Sequence, residues 1–276
     1  MALAQVNFFS KSLMRTVTMN VILPVDNYSF QGESLANKEG FKTLYLLHGM
    51  LGNYTDWVSG TRIGAWAQEN NLVVVMPSGD NHFYVDQKAT GDLYGEFIGE
   101  ELVEVTRRMF PLSNKREDTF IAGLSMGGYG AIRNGLKYAD TFGFIAGLSS
   151  GLILDNIPDS TEDAPVIYNR RSYYKAIFGD IETLFGSDMD YKYLITSLKN
   201  QNKSIPSIYL ACGTEDFLIE ENRDYRDFLK AEGVDFTYVE GPGGHDWVFW
   251  DTYIKKVLEW LPLSAGGKGI SSGNVK

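Results

Sequence analysis

The chain of 276 residues is short of the residue types that mark several large protein classes. Its one cysteine, Cys212, has no partner, so no disulfide can form within the chain. Its three histidines, His48, His82 and His245, are dispersed without any metal-ligand spacing, and no bound metal is expected. No G-x-G-x-x-G or P-loop pattern occurs, so a nucleotide cofactor is not expected either, and the chain is read as needing no cofactor. No apolar run approaches the roughly 18 residues of a membrane span. Basic charge is scarce: 25 Lys and Arg stand against 35 Asp and Glu, a net charge of −10 with no basic cluster. That balance argues against nucleic acid or an anionic membrane as partner. The first residues, Met-Ala-Leu-Ala-Gln-Val-Asn-Phe-Phe-Ser, lack a basic segment followed by an apolar one, so a cytoplasmic protein is expected. Neither an internal repeat nor a low-complexity core segment is present.

What remains is ordinary for a globular protein, with 44% apolar and 22% charged residues. An α/β fold of this length is routinely one domain. We expect that domain over residues 1–262, with a Gly/Ser-rich flexible tail over 263–276. Residues 4–9 and 14–23 read as strands, the second alternating polar and apolar positions as in an antiparallel edge pair. Residues 28–40 read as a surface loop. The runs 43–47 and 72–77 are continuously apolar, the mark of strands covered on both faces. Further strands are expected at 119–122, 144–149, 208–212 and 236–240. Helices are expected at 57–70, 97–110, 129–139, 220–232 and 247–260. Cys212 lies in one of these strands and is expected to be an inert core thiol. Strands alternating with helices imply a mostly parallel sheet with helices on both faces. The stretch from about 151 to 204 breaks that rhythm. It is rich in Asp, Tyr and Lys, carries short helical patches, and reads as a small helical cap inserted into the domain. Its aromatics, Tyr168, Tyr173, Tyr174, Phe178, Phe185 and Tyr191, either anchor the cap or line a pocket beneath it.

The chemistry centres on Gly123-Leu124-Ser125-Met126-Gly127, a G-x-S-x-G pattern between a β-prone run and a helical one. A strand, a sharp turn and a helix hold the serine in a strained conformation with its hydroxyl above the sheet. A serine hydroxyl is a poor nucleophile until a base takes its proton. His245 is the expected base, because the loop Gly241-Pro242-Gly243-Gly244-His245 between the last strand and last helix can carry an imidazole over the sheet edge. His48 directly follows a strand and is expected to brace its neighbouring loop. An acid should lie between Ser125 and His245 in chain order. Asp216, in Gly213-Thr214-Glu215-Asp216, leads, and Glu215 beside it is the alternative. Asp246 is too close to His245 in sequence to orient its ring and is read as structural. Two N–H groups are expected to form an oxyanion hole: Met126, after the nucleophile, and Met50 in the loop after the early strand, with Leu51 second. Trp57, Leu51 and Tyr129 are expected to contact substrate.

The stretches His48-Gly49-Met50-Leu51-Gly52-Asn53, Phe83-Tyr84-Val85-Asp86, Gly123 to Gly128, Gly213 to Asp216 and Gly244-His245-Asp246-Trp247 together resemble the α/β-hydrolase superfamily. Within it the resemblance is to the esterase D-like branch of tributyrin, feruloyl and acetyl-xylan esterases, S-formylglutathione hydrolases and mycolyltransferases. It runs from the first buried strand to the last helix. It implies Ser125, Asp216 and His245 as a triad, Met50 and Met126 as backbone donors, and hydrolysis of small-molecule esters through an acyl-serine. A serine carboxylesterase for short acyl or aryl esters is the leading expectation. Feruloyl or acetyl-xylan esterase and S-formylglutathione-type thioesterase activities are the alternatives, although the loop after His48-Gly49 departs from that of S-formylglutathione hydrolases. A binding protein on a hydrolase fold is the non-catalytic alternative, and the complete serine, histidine and acid set argues against it. A homo-oligomer is left open.

Overall fold

The computed structural model describes residues 1–26 and 40–264. The expected loop at 28–40 therefore lies almost wholly outside the described residues, as does most of the expected tail. The chain begins with β1 (Ala2–Ser10) and β2 (Arg15–Leu23), which pair antiparallel. β3 (Thr43–Leu47), the short helices α1 (Asp56–Gly60) and α2 (Ile63–Glu69), and β4 (Val73–Pro77) follow. A two-residue ladder, β5 (Asp86–Gln87) with β6 (Asp92–Leu93), leads into a helical run. That run is α3 (Tyr94–Glu96), a π-helical turn (Phe97–Glu101) and α4 (Leu102–Met109). Then come β7 (Thr119–Leu124), α5 (Met126–Lys137), β8 (Phe144–Leu148), α6 (Arg171–Phe178) and α7 (Tyr191–Asn200). The chain closes with β9 (Ser207–Gly213), α8 (Ile219–Ala231), β10 (Phe236–Gly241) and α9 (Trp247–Trp260).

Eight strands form one sheet in the order β1-β2-β4-β3-β7-β8-β9-β10. Only the β1–β2 and β2–β4 pairs are antiparallel. β3, β4 and β7 are buried at every residue, as their unbroken apolar sequences require. Alternate residues of each strand feed two separate cores. Tyr45, Val75, Ile121, Ile145 and Leu210 face one core, which also takes up α5, α7 and α8. Leu44, Val74, Phe120, Ala146 and Tyr209 face the other, closed by α1, α2 and α9. Helices thus cover both faces of a mostly parallel sheet, the α/β-hydrolase architecture.

Three local readings needed revision. The alternation expected along 14–23 stops at Met19, because β4 pairs with Met19–Ile22 and encloses that half of β2. The helix expected over 57–70 is two helices. Thr61 is extended, its hydroxyl donates to the Trp57 carbonyl (2.6 Å) and accepts from Ile63 N–H (3.2 Å), so it ends one helix and starts the next. The helix expected from 97 begins at Tyr94 and contains the π-turn, which presents Glu101 to the β1–β2 turn. The Glu101 carboxylate accepts from Ser10 Oγ (2.6 Å) and from Lys11 and Ser12 N–H. Burial opposes its charge, but these bonds outweigh it and hold the carboxyl below its usual range.

Candidate active site

The parallel strands end at one edge of the sheet, where open α/β folds gather their functional groups. β7 delivers Ser125 there, at φ 53° and ψ −122°, a conformation that non-glycine residues rarely adopt. The surroundings hold it in place. Ser125 N–H donates to the Leu148 carbonyl (2.9 Å), and its own carbonyl accepts from Gly128 (2.9 Å) and Gly151 (2.8 Å). The pattern glycines are required by contact: a Cβ on Gly127 would lie 2.5 Å from the carbonyl oxygens of both Leu47 and His48. A Cβ on Gly123 would collide with the Gly127 backbone.

β9 and β10 deliver the partners. The Ser125 hydroxyl donates to His245 Nε2 (3.0 Å). The other ring nitrogen, Nδ1–H, donates to the Asp216 carboxylate at 2.9 and 3.1 Å. Asp216 is buried, and it also accepts from Leu218 N–H (2.9 Å). Burial raises its pKa, yet the bonds from His245, Leu218 N–H and Ser149 prevail and keep the carboxyl below its usual range. An imidazole held between a hydroxyl and an ionised carboxylate can take the hydroxyl proton and be stabilised as it does so. The ring is also clamped by aromatics: Phe217 tilts over it at 4.6 Å, and Trp250 of α9 meets it edge-on at 5.0 Å.

Glu215 does not face His245. It is exposed, and its carboxylate accepts from Thr214 Oγ1 (2.8 Å) and Gly243 N–H (2.5 Å), which pins the His245 loop to the Asp216 loop. Asp246 caps α9, accepting from Val248 and Phe249 N–H at 3.0 Å each. His48 is buried among the loops it was expected to brace. Its Nε2 accepts from Gly79 N–H (2.8 Å), so Nδ1 carries the proton and donates to the Gly49 carbonyl (2.6 Å). Cys212 is buried in β9, and burial first, then the Asp216 charge, push its thiol up to about 12.

A cavity of about 480 Å³ opens above Ser125. Ser125, Met126, Met50 and Gly151 lie at its base, and Phe83, Ile153, Phe217 and Leu218 give it apolar walls. Residues 149–206, between β8 and β9, roof it with Tyr168 and Tyr174 and add polar groups at Asn156, Ser160 and Asn169. The structure thus brings Met50 and Met126 beside Ser125. Met126 is the first residue of α5, so its N–H has no acceptor within the helix. Leu51 N–H already donates to Asn81 Oδ1 (2.8 Å).

The three expected substrate contacts are corrected. Trp57 is buried in the core on the opposite face, with its indole N–H donating to the Leu47 carbonyl (3.0 Å). Tyr129 is fully buried beneath the roof, its hydroxyl donating to the Met189 carbonyl (2.8 Å). The Leu51 side chain is 72% exposed and does not border the cavity. The roof aromatics divide: Phe178 and Tyr191 are buried anchors, Tyr168 and Tyr174 face the cavity, and Phe185 is half exposed. Phe217 and Gly151 were missed. Phe217 stands next to Asp216, but nothing in an isolated Phe reveals a ring left 73% exposed above an imidazole. Gly151 escapes notice because its part is played by the backbone: its N–H donates to the Ser125 carbonyl (2.8 Å) beside the cavity.

Fold and site together define an α/β-hydrolase serine hydrolase. Comparison with known proteins agrees. Residues 10–261 match the model of the Esterase family, and the chain belongs to that family. It is 49% identical over 261 residues to an acetyl esterase of Caldicellulosiruptor saccharolyticus, covering 95% of this chain and 98% of that protein. Among solved structures it is similar to the Staphylococcus aureus fluorophosphonate-binding serine hydrolase F, with a TM-score of 0.82 and 32% identity over 94% of this chain and 98% of that one. It is also similar to the S-formylglutathione hydrolase FrmB of Staphylococcus aureus, with a TM-score of 0.80 and 35% identity over the same shares. The chain is a serine carboxylesterase.

Proposed function

We propose that Ser125, His245 and Asp216 are the triad of this esterase and that its substrates are acetyl or other short-chain esters of small alcohols. The observation that carries the reading is the unbroken chain from Asp216 through His245 to Ser125 Oγ, ending at the base of a cavity. Ser125 Oγ attacks the ester carbonyl carbon as its proton passes to His245 Nε2. The carbonyl oxygen takes the negative charge and is held by the N–H groups of Met50 and Met126. The C–O bond to the alcohol then breaks, the His245 proton goes to the leaving oxygen, and an acyl-serine remains. Water repeats the sequence, giving its proton to His245 and releasing the carboxylic acid as Ser125 recovers its own.

The size of the cavity supports a substrate larger than acetate alone, because cavities that enclose whole ligands span about 300–1,000 Å³. Its apolar walls suit the acyl chain or an aryl group. Asn156, Ser160, Tyr168 and Asn169 offer hydrogen bonds to a hydroxylated alcohol or phenol. The acetyl esterase of Caldicellulosiruptor saccharolyticus supports the short acyl group. Steady-state kinetics on acetyl, butyryl, octanoyl and feruloyl esters, with S-formylglutathione alongside, test the substrate class. We expect kcat/KM to be greatest for acetyl or butyryl esters, and a preference for octanoyl, feruloyl or the thioester would overturn it. Ser125→Ala should retain only the contribution of binding and the oxyanion hole, roughly 10³–10⁴-fold over water. A fluorophosphonate probe should label Ser125 and no other serine.

A further inference from the structure

Of the stretch Phe83-Tyr84-Val85-Asp86 only Phe83 borders the cavity, yet the backbone of its first two residues is built under constraint. Phe83 and Tyr84 sit consecutively at φ 49° and 56°, where side chains are strained. Tyr84 is fully buried. Its ring fills a slot bounded by Gly79 and Gly130, and a Cβ on either glycine would collide with it. Two hydrogen bonds leave the residue in different directions. Its hydroxyl donates to the His48 carbonyl (2.9 Å), and its carbonyl accepts from Asn134 Nδ2 (3.0 Å). Asn134 lies on α5, the helix that starts at Met126, and it also donates to the Gly130 carbonyl (2.9 Å). Its amide orientation is set by the buried Arg133, whose Nη1 donates to Asn134 Oδ1 (2.8 Å).

The two ends of this chain of bonds are the two halves of the oxyanion hole. One end is α5, whose first residue is Met126. The other is the His48 carbonyl, one residue before the peptide that joins Gly49 to Met50. In that trans peptide the Gly49 carbonyl is held by His48 Nδ1–H, so the Met50 N–H points the opposite way. Tyr84 fixes the carbonyl behind that peptide, and Asn134 fixes Tyr84 to the helix. We propose that Tyr84 is a positioning residue, a strut with Asn134 that sets the Met50 N–H against the Met126 N–H. The inference rests on the oxyanion assignment made under Proposed function. The cost of losing such alignment is large, because a shift of about 1 Å can cost about 10²-fold in rate.

Tyr84→Phe tests it, since the ring stays in its slot and only the bond to His48 is lost. The control is Tyr45→Phe, which removes a second buried hydroxyl, bonded to Thr106 Oγ1 (2.8 Å) away from this strut. Both variants are assayed for thermal unfolding, kcat, KM and inhibition by phenylboronic acid, which becomes a tetrahedral anion on Ser125 and so reports the oxyanion hole. Tyr84→Phe should lower kcat about 10-fold or more, leave KM within about twofold, and weaken boronate inhibition by a factor similar to the loss in kcat. Tyr45→Phe should leave kcat and boronate inhibition unchanged. The strut is overturned if kcat or boronate inhibition survives in Tyr84→Phe, or if the two variants lose kcat alike. Should Tyr84→Phe be recovered unfolded, Asn134→Ser cuts the other end and is read by the same criteria. Full activity in Ser125→Ala would instead sink the triad, a separate result.

Discussion

At the scale of single residues, the candidate site is governed by which of two adjacent carboxylates meets an imidazole. Asp216 is buried against His245 Nδ1, while Glu215 turns outward to hold Gly243. Asp216→Asn keeps the shape but removes the charge that favours the useful tautomer, so kcat should fall on the order of 10⁴-fold with little change in KM. Glu215→Gln should cost far less, because it only loosens a loop. Steady-state kinetics on the two variants decide the matter, and the reverse pattern would move the acid by one position. The three hydrogen-bonded residues of the candidate site were legible in the sequence because each sits in a short pattern: G-x-S-x-G, a glycine-rich loop ending in histidine, and an acid just past a strand. Trp57 and Tyr129 were misread for the opposite reason. A large aromatic near a functional loop can enter a cavity or a core, and only the direction of its side chain relative to the sheet separates the two. Trp57 points under the sheet, and Tyr129 points beneath the roof.

At the scale of elements, the loop after β3 and the segment after β4 depend on a neutral histidine. Burial pulls the pKa of His48 below its usual value, outweighing the Gly49 carbonyl and the charges of Asp56 and Asp80. Protonating Nε2 would also break the bond from Gly79 N–H. His82, whose ring tilts against that of Tyr94, is lowered in the same direction, again chiefly by burial. Below the ordinary histidine pKa of about 6.5, the unfolded chain therefore takes up protons that the folded chain refuses. The histidine contribution to stability should fall as pH drops through about 6.5 and level off once pH passes below the folded values. Thermal unfolding at about pH 7.5 and about pH 5.5 should show a lower midpoint in acid, and His82→Gln should shrink the difference. A midpoint unchanged across that interval would show that neither ring is held neutral. Element type was largely readable, because apolar runs and 3.6-residue periodicity reflect burial directly. Breaks inside elements were not. The end of α1 at Thr61 is set by hydrogen bonds of one side chain, to Trp57 and Ile63, and the π-turn before α4 carries one side chain, Glu101, that bonds the distant β1–β2 turn.

For the whole molecule, the sheet divides the interior into one core that borders the cavity above Ser125 and another that does not. Phe83 and Leu152 belong to the first, and Trp57, Trp66 and Trp250 to the second. Trp57→Ala should therefore cost about 3–5 kcal/mol of stability, as large-to-small changes of buried tryptophan do. The ratio of activities on acetyl and octanoyl esters should stay at the parent value. A changed ratio would place Trp57 back in contact with substrate. The alternation of strand and helix made the architecture readable, since such alternation calls for a parallel sheet covered by helices. The conformation of 149–206 was not readable, because its short helices are fixed by what they pack on instead of by their own periodicity. The sealed position of Cys212 has a practical side. With the sole native thiol buried and held protonated, a cysteine introduced on the roof, at exposed Ile167 for example, would be the one site open to a maleimide dye. The roof could then be watched by fluorescence during turnover without first removing any residue from the protein.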